Sequence, residues 1–452
     1  MFKMIINAFK VKEIRSRLLF TLIALVVVRL GCNIHTPGID TTVFQTWIES
    51  SQLNLGFLDT FTGGSFTQMT IFALGISPYI NAEIIMQLLT IAIPALEEMQ
   101  KDGEDGRKKI QKISRYLTIV LALIESTAMA ISFGRQTAQT ASGVMPILNG
   151  GSNFRSIALV AISFTAGTAF LMWLGDKITE KGVGNGISII LLINIVSRLP
   201  EDIMQLTTKF VTGASQVIYG IIGAIVIIAI IVGLVALIIL LQDAERRIGV
   251  QYTRKIVGHK QVGGQSSVIP LKVNTSGVIP VIFAMSVLQV PIIVSSFFGV
   301  TAKRGNVWEK ILYLFDQKNW FNFTGEGELK YTLGVLIYVA LILFFAYFYT
   351  AVTFNPVEIS NNLKRQGGLI PGTRPGKPTI DYLTGILNKI VFIGAIALAI
   401  VAILPIFFMG IANVSVSFAA TSIIIVVGVV LETMKQIESM MAVRHYKGFL
   451  GN

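Results

Sequence analysis

Runs of about 20 predominantly apolar residues recur along the whole chain, each long enough to cross a bilayer core of about 30 Å as an α-helix. Lipid offers the backbone no hydrogen-bond partners, so a chain with many such runs is confined to a bundle of helices that satisfy themselves. Composition agrees. Of the 452 residues, 53% are hydrophobic and 14% charged, with mean hydropathy +0.70, which is more apolar surface than one water-soluble core hides. The apolar windows predict spans near residues 18–34, 74–94, 114–133, 156–175, 187–206, 214–241, 275–297, 331–353, 384–405 and 411–431. The expected fold is an all-α polytopic membrane protein with ten transmembrane helices. The opening FKMIINAFKVKEIRSRLLFTLIALVVV has the basic-then-apolar order of a signal peptide. However, Arg29 interrupts the approach to Cys32 and no A-x-A site follows, so the first span is expected to be retained. Cys32 is the sole cysteine, which excludes an intrachain disulfide and a multi-cysteine metal site, and no cofactor is expected.

Lys and Arg concentrate in alternate connecting segments, and the positive-inside rule then puts both termini in the cytoplasm of a multi-pass plasma-membrane protein. The net charge of +12 therefore describes one basic face, either an orientation signal alone or also a docking surface for acidic partners. Ten spans divide into two sets of five, an N-terminal half (1–206) and a C-terminal half (207–431), followed by a tail (432–452). An odd number per set inverts the second half relative to the first, an arrangement that builds pathways between halves. The two largest cytoplasmic loops, 242–274 and 354–383, both belong to the second half. In LKRQGGLIPGTRPGKPTIDYL, residues 363–383, glycines and prolines exclude a continuous helix yet stiffen the turns, so Arg374 is expected at a defined tip. The run GTRPGKP fails as a phosphate-binding loop because Pro371 and Pro378 stand where Gly and Ser/Thr are needed, so any energy must come from a partner.

Several segments resemble the SecY family, the channel subunits of bacterial protein translocases: IFALGISPYINAEIIMQLL at 71–89, KITEKGVGNGISI at 177–189, LKVNTSGVIPVIFA at 271–284, FNPVEISNNLKRQGGLIPGTRPG at 354–376 and RHYKGFL at 444–450. The resemblance implies an hourglass pore between the halves, with a side opening to lipid between spans 2 and 3 on one side and 7 and 8 on the other. It also implies that FTGGSFTQMTIFALGISPYI, residues 61–80, begins as a plug, a half-helix over 58–73 folded into the outer funnel and including Leu58, Phe61, Gly63, Gly64 and Phe66. The residues alone also fit an external loop with an amphipathic turn. By local alignment the pore ring would be Ile84 and Leu88, Leu191 and Ile195, Ile282, and Ile425; small apolar constrictions of this kind resist charge, although lipid facing is the ordinary role of such residues. Thr90, Glu125 and Asn274 resemble the polar cluster of the family's lateral gate, where an arriving signal sequence replaces them; the plainer reading is a polar tie between helices. Arg29 is expected to snorkel, and periodicity leaves open whether Glu83 faces the funnel or a neighbouring helix.

In the family, loops carrying residues such as Arg246, Arg247, Lys255 and Arg374 engage the ribosome or the motor ATPase SecA. The small subunits SecE and SecG complete the assembly, whose substrates are signal sequences and secretory polypeptides. The expected function is a non-enzymatic protein-conducting channel that also releases transmembrane segments sideways into membrane lipid. Two other readings remain at this point: a secondary transporter for a small solute, which would want charged groups in mid-membrane, and an insertase or scaffold without an aqueous path.

Overall fold

The structure is a computed structural model that describes residues 9–51, 59, 61–140, 143–208, 217–252, 255–257, 260–262, 266–297, 306–317, 320–321, 332–412 and 420–450. Ten of its helices fall on the ten expected spans: α1 (Lys12–Gly31), α3 (Ser77–Ala92), α5 (Glu104–Arg135), α6 (Phe154–Lys181), α7 (Gly186–Thr207), α8 (Val217–Asp243), α9 (Ile279–Phe297), α11 (Leu333–Thr353), α13 (Lys377–Ala412) and α14 (Ala420–Leu450). Four shorter helices join them: α2 (Thr41–Ser51), α4 (Pro94–Lys101), α10 (Val307–Phe315) and α12 (Pro356–Gln366). Proline cannot continue a helical hydrogen-bond ladder, and at Pro94 the chain turns by 99° between α3 and α4. The tail after residue 431 continues α14 as helix to Leu450 rather than forming a separate segment.

Within the first half α5 packs on α3 and α6, and α6 on α1 and α7. Within the second, α11 packs on α9 and α13, and α14 on α8 and α13. Between the halves, the substantial contacts among described residues are α5 with α9 and α7 with α14. The two sets of five helices thus meet along two seams. Buried Ile84, Ile190, Ile195, Leu288, Ile342, Leu398 and Ile425 belong to one apolar cluster that spans both halves.

The two large loops of the second half are not separate. They share an antiparallel sheet, order β6-β3-β7, made of β3 (Glu245–Tyr252), β6 (Ser266–Lys272) and β7 (Gly368–Leu369); β1 (Thr137–Thr140) pairs with β2 (Gly143–Pro146) elsewhere, and β4 (Lys255–Val257) with β5 (Lys260–Val262). Register pairs Ile248 with Ile269, Arg246 with Leu271 and Gln251 with Leu369. Ile248 and Val250 alternate inward and pack with Leu271, Leu363, Ile370 and Leu383, giving the loops their own small core. Asn355 caps α12 by accepting from the Val357 and Glu358 amides at 3.1 and 3.4 Å, and Gly367, at φ 69°, ends it in the left-handed conformation.

Candidate functional site

A cavity of about 440 Å³ opens between the halves, lined from α3, α7, α9, α11 and α14. On α3 the lining positions are Tyr79, Ile80, Glu83 and Gln87, spaced so that they share one helix face. Glu83 therefore faces the funnel, not only a neighbouring helix. The mouth is polar, with Gln242, Lys272, Thr275, Glu432 and Lys435, the last paired with Asp243 at 2.6 Å. The base is apolar. Ile80, Leu191, Ile282 and Ile425 lie there: Leu191 and Ile425 are the lining residues of their helices farthest from the polar mouth, and Ile80 and Ile282 come next to the farthest, after Tyr79 and Phe283.

The expected pore-ring residues divide at this point. Leu191, Ile282 and Ile425 come together at the base of the cavity, and buried Ile195 lies one turn beyond Leu191 on α7. Ile84 is buried in the same cluster. Leu88 departs: it is 37% exposed and outside that cluster. At about 1.5 Å rise per residue, it stands about 12 Å along α3 from Ile80, towards the mouth. Ile80, which the sequence reading passed over, lines the cavity beside Tyr79, whereas Leu88 is not among the lining residues. The pairs 80/84 and 84/88 have identical spacing, so periodicity could not choose between them.

Beyond the base lies the segment expected as a plug. Leu58 is outside the described residues. Helix is present at Asp59 and at Phe61–Thr62, but from Gly63 the chain runs through turns rather than the half-helix expected to 73. The reason is local: Gly63 and Gly64 take φ 66° and 88°, Met69 takes φ 46° and Gly75 φ 57°, values that break a right-handed helix. The segment is fastened from two sides. Arg29 on α1 donates to the Gly63 carbonyl at 3.2 Å, and Asn194 on α7 donates to the Phe61 carbonyl at 3.1 Å. Arg29 therefore does not snorkel; it grips the segment. The Asp59 carboxylate pairs with Arg198 of α7 and accepts from the amide and hydroxyl of Thr67 at 3.0 and 2.9 Å. Phe61 is buried in the central cluster, whereas Phe66 is buried in a second cluster with Phe44, Met69, Phe133 and Phe164. Phe44 meets Phe66 edge-on, with ring centroids 6.0 Å apart.

The three residues expected as a polar cluster are not bonded to one another. Glu125 on α5 accepts from Asn81 of α3 at 3.2 Å, Thr90 donates to its own helix at the Met86 carbonyl at 2.7 Å, and buried Asn274 lines the cavity. Asn81 and Gln87 are polar groups the sequence reading missed; both interrupt an apolar window on α3, which was the available signal. Arg246, Arg247 and Arg374 are exposed on the shared sheet and its neighbouring loop, and Lys255 lies in β4. Arg247 pairs with Glu245 at 2.7 Å.

A cavity with a polar mouth and an apolar end, lying between two helical halves with a folded-in segment fastened nearby, is the arrangement of a membrane channel. The SecY family model matches residues 70–434, so the chain belongs to the SecY family. It is 42% identical over 456 residues to the protein translocase subunit SecY of Bacillus subtilis (strain 168), covering 100% of both chains, and 40% identical over 454 residues to that of Streptomyces scabiei, covering 98% of both. Among solved structures, the fold is similar to that described as "The structure of a protein conducting channel", with TM-score 0.59, 19% identity, 94% of this chain and 92% of that one covered. It is also similar to an idle yeast Ssh1 complex bound to the 80S ribosome, with TM-score 0.56, 14% identity and coverages of 95% and 89%. The full-length relationship removes the solute-transporter alternative.

Proposed function

We infer that this chain is the protein-conducting channel subunit of a plasma-membrane translocase, passing unfolded secretory polypeptides through the seam between its halves. One observation carries the reading: the polar-mouthed cavity has an apolar end that includes Ile80, Leu191, Ile282 and Ile425, and the plug segment is fastened to α1 and α7. Bulky apolar side chains at a constriction exclude ions when empty and can yield to a passing chain. In this proposal the pore ring is Ile80, Ile84, Leu191, Ile195, Ile282 and Ile425, with Ile80 in place of Leu88. The seam where α5 meets α9 is the lateral gate, and Glu125, Asn81, Gln87 and Asn274 are the polar groups a signal sequence would meet there. Both termini and the β3–β6–β7 sheet face the cytoplasm, following the distribution of basic residues. Arg246, Arg247, Lys255 and Arg374 then present the docking surface for SecA or a ribosome, and SecE and SecG complete the assembly.

The test is site-specific photocrosslinking to a secretory precursor stalled during motor-driven transport in reconstituted vesicles, with probes at Leu191, Ile282, Ile80 and Leu88. Motor-dependent crosslinks are expected at the first three positions and not at Leu88. Transport without any crosslink at Leu191 and Ile282 would reject the waist, and crosslinks at Leu88 but not Ile80 would restore the other register on α3.

A further inference from the structure

The connection between α9 and α11 contains α10, with sequence VWEKILYLF. Nothing in the channel mechanism uses it. The helix is about 14 Å long at about 1.5 Å per residue, too short to cross a bilayer. Its buried side is anchored by Leu312. Val307 and Ile311 lie on a different face, with Trp308 at the boundary between the two one turn before Leu312, and the three are 75%, 36% and 50% exposed respectively, an arrangement that would be unfavourable in water.

Its attachment fixes where that face lies. The Trp308 indole donates to the Ser295 hydroxyl at 3.0 Å, in the last turns of α9. Near the other end of α10, the Leu314 carbonyl accepts from the indole of Trp320 at 2.7 Å and lies against Gly334, in the first turn of α11. Trp320 is itself buried against Tyr338, with ring centroids 5.7 Å apart. The two ends of α10 thus rest on the ends of two neighbouring spans, so its axis lies across them, along the membrane plane. Beside these attachment points the two spans also expose apolar side chains, Val294 next to Ser295 on α9 and Leu333 and Leu336 on either side of Gly334 on α11. An amphipathic helix in that position, with a tryptophan whose N–H is satisfied at a helix end, has the chemistry of the lipid headgroup boundary.

We propose that α10 is an interfacial anchor: Val307, Trp308 and Ile311 enter the headgroup–acyl boundary of the leaflet on the side away from the β3–β6–β7 sheet and set the depth of the α9–α11 pair. The occupant of this face is lipid. Lipid is favoured over a protein partner or a second copy of the chain because the two spans that carry the helix expose apolar side chains beside both of its attachment points.

The chain has four tryptophans, and Trp173 is also exposed on a span. The measurement therefore compares Trp173→Phe with Trp173→Phe/Trp308→Phe, both assembled with their partner subunits in vesicles, and takes the difference as the Trp308 emission. Lipids brominated near the headgroup should quench that emission about twofold or more, lipids brominated near the chain ends should quench it less, and aqueous iodide should have little effect. Strong iodide quenching without lipid quenching would place the helix in water. Protection from both quenchers would mean that a protein covers the face. Either result overturns the proposal.

Discussion

Asp59 is a carboxylate almost wholly removed from water, held by Arg198 and by two donors from Thr67. Taking the charge from one member of such a pair leaves the other desolvated, at a cost of ~3–5 kcal/mol. At ~1.4 kcal/mol per decade, even the lower figure displaces the plug equilibrium about a hundredfold. Asp59→Asn retains an acceptor for Thr67 but not the charge, and the expected outcome is a resting ion leak in planar bilayers, partly reversed by exchanging the two charges in Asp59→Arg/Arg198→Asp. Seal tightness equal to that of the native chain in Asp59→Asn would show that the pair does not hold the plug. A steric counterpart is Gly167, where a Cβ would overlap the Ile71 carbonyl and press on Phe72. Gly167→Ala should lower stability by ~1–3 kcal/mol, seen as an earlier melting transition in detergent. Neither contact was legible in the sequence, because residues 139 and 96 positions apart meet only once the halves have formed. Asp59 drew no notice within the segment expected as a plug, and Arg29 read as a snorkelling cation.

Among the elements, α2 begins with Asp40, whose carboxylate accepts from the Thr42 and Val43 amides at 3.0 and 3.2 Å. Hydrogen bonding to the Thr42 hydroxyl, followed by the Val43 amide, holds this carboxyl below the usual range. A lowered folded-state value means that the cap contributes fully above the ordinary carboxylate pKa of about 3.9 and is lost as pH falls through the folded value. The stability difference between native protein and Asp40→Ala should be ~0.5–2 kcal/mol at neutral pH and shrink only in strong acid; a difference unchanged down to that range would refute the cap. Gly368 sits where a side chain would strike Tyr252, Leu363 and Val250. Gly368→Val should therefore unseat β7 and weaken binding of a cytoplasmic partner while leaving detergent-extracted protein folded, measurable as partner affinity against thermal stability. The spans were readable because about 20 apolar residues leave one choice in lipid. The sheet was not, since its short strands run through charges and glycines and β7 is two residues long.

For the whole molecule, α5 pairs with α9 and α7 with α14 across the halves, and in the proposed channel the seal of the passage between them depends on the segment between α2 and α3. Deleting residues 60–70 removes the carbonyls that Arg29 and Asn194 hold, and the expected outcome is a measurable single-channel current where the native chain is silent; a silent deletion variant would favour a scaffold without an aqueous path. The sequence could place ten helices and the face that carries basic loops, but not the depth at which four of those helices converge, because depth along a helix is set by its neighbours and not by its period. The proposal of Ile80 in place of Leu88 rests on that difference. The shared sheet joins the ends of α8, α9 and α13, all in the second half, with Gln251 and Leu369 stitching one loop to the other. A load applied near Arg374 is consequently not absorbed by a slack tether: the sheet carries it to the ends of all three helices together, as a crank carries torque to its shaft.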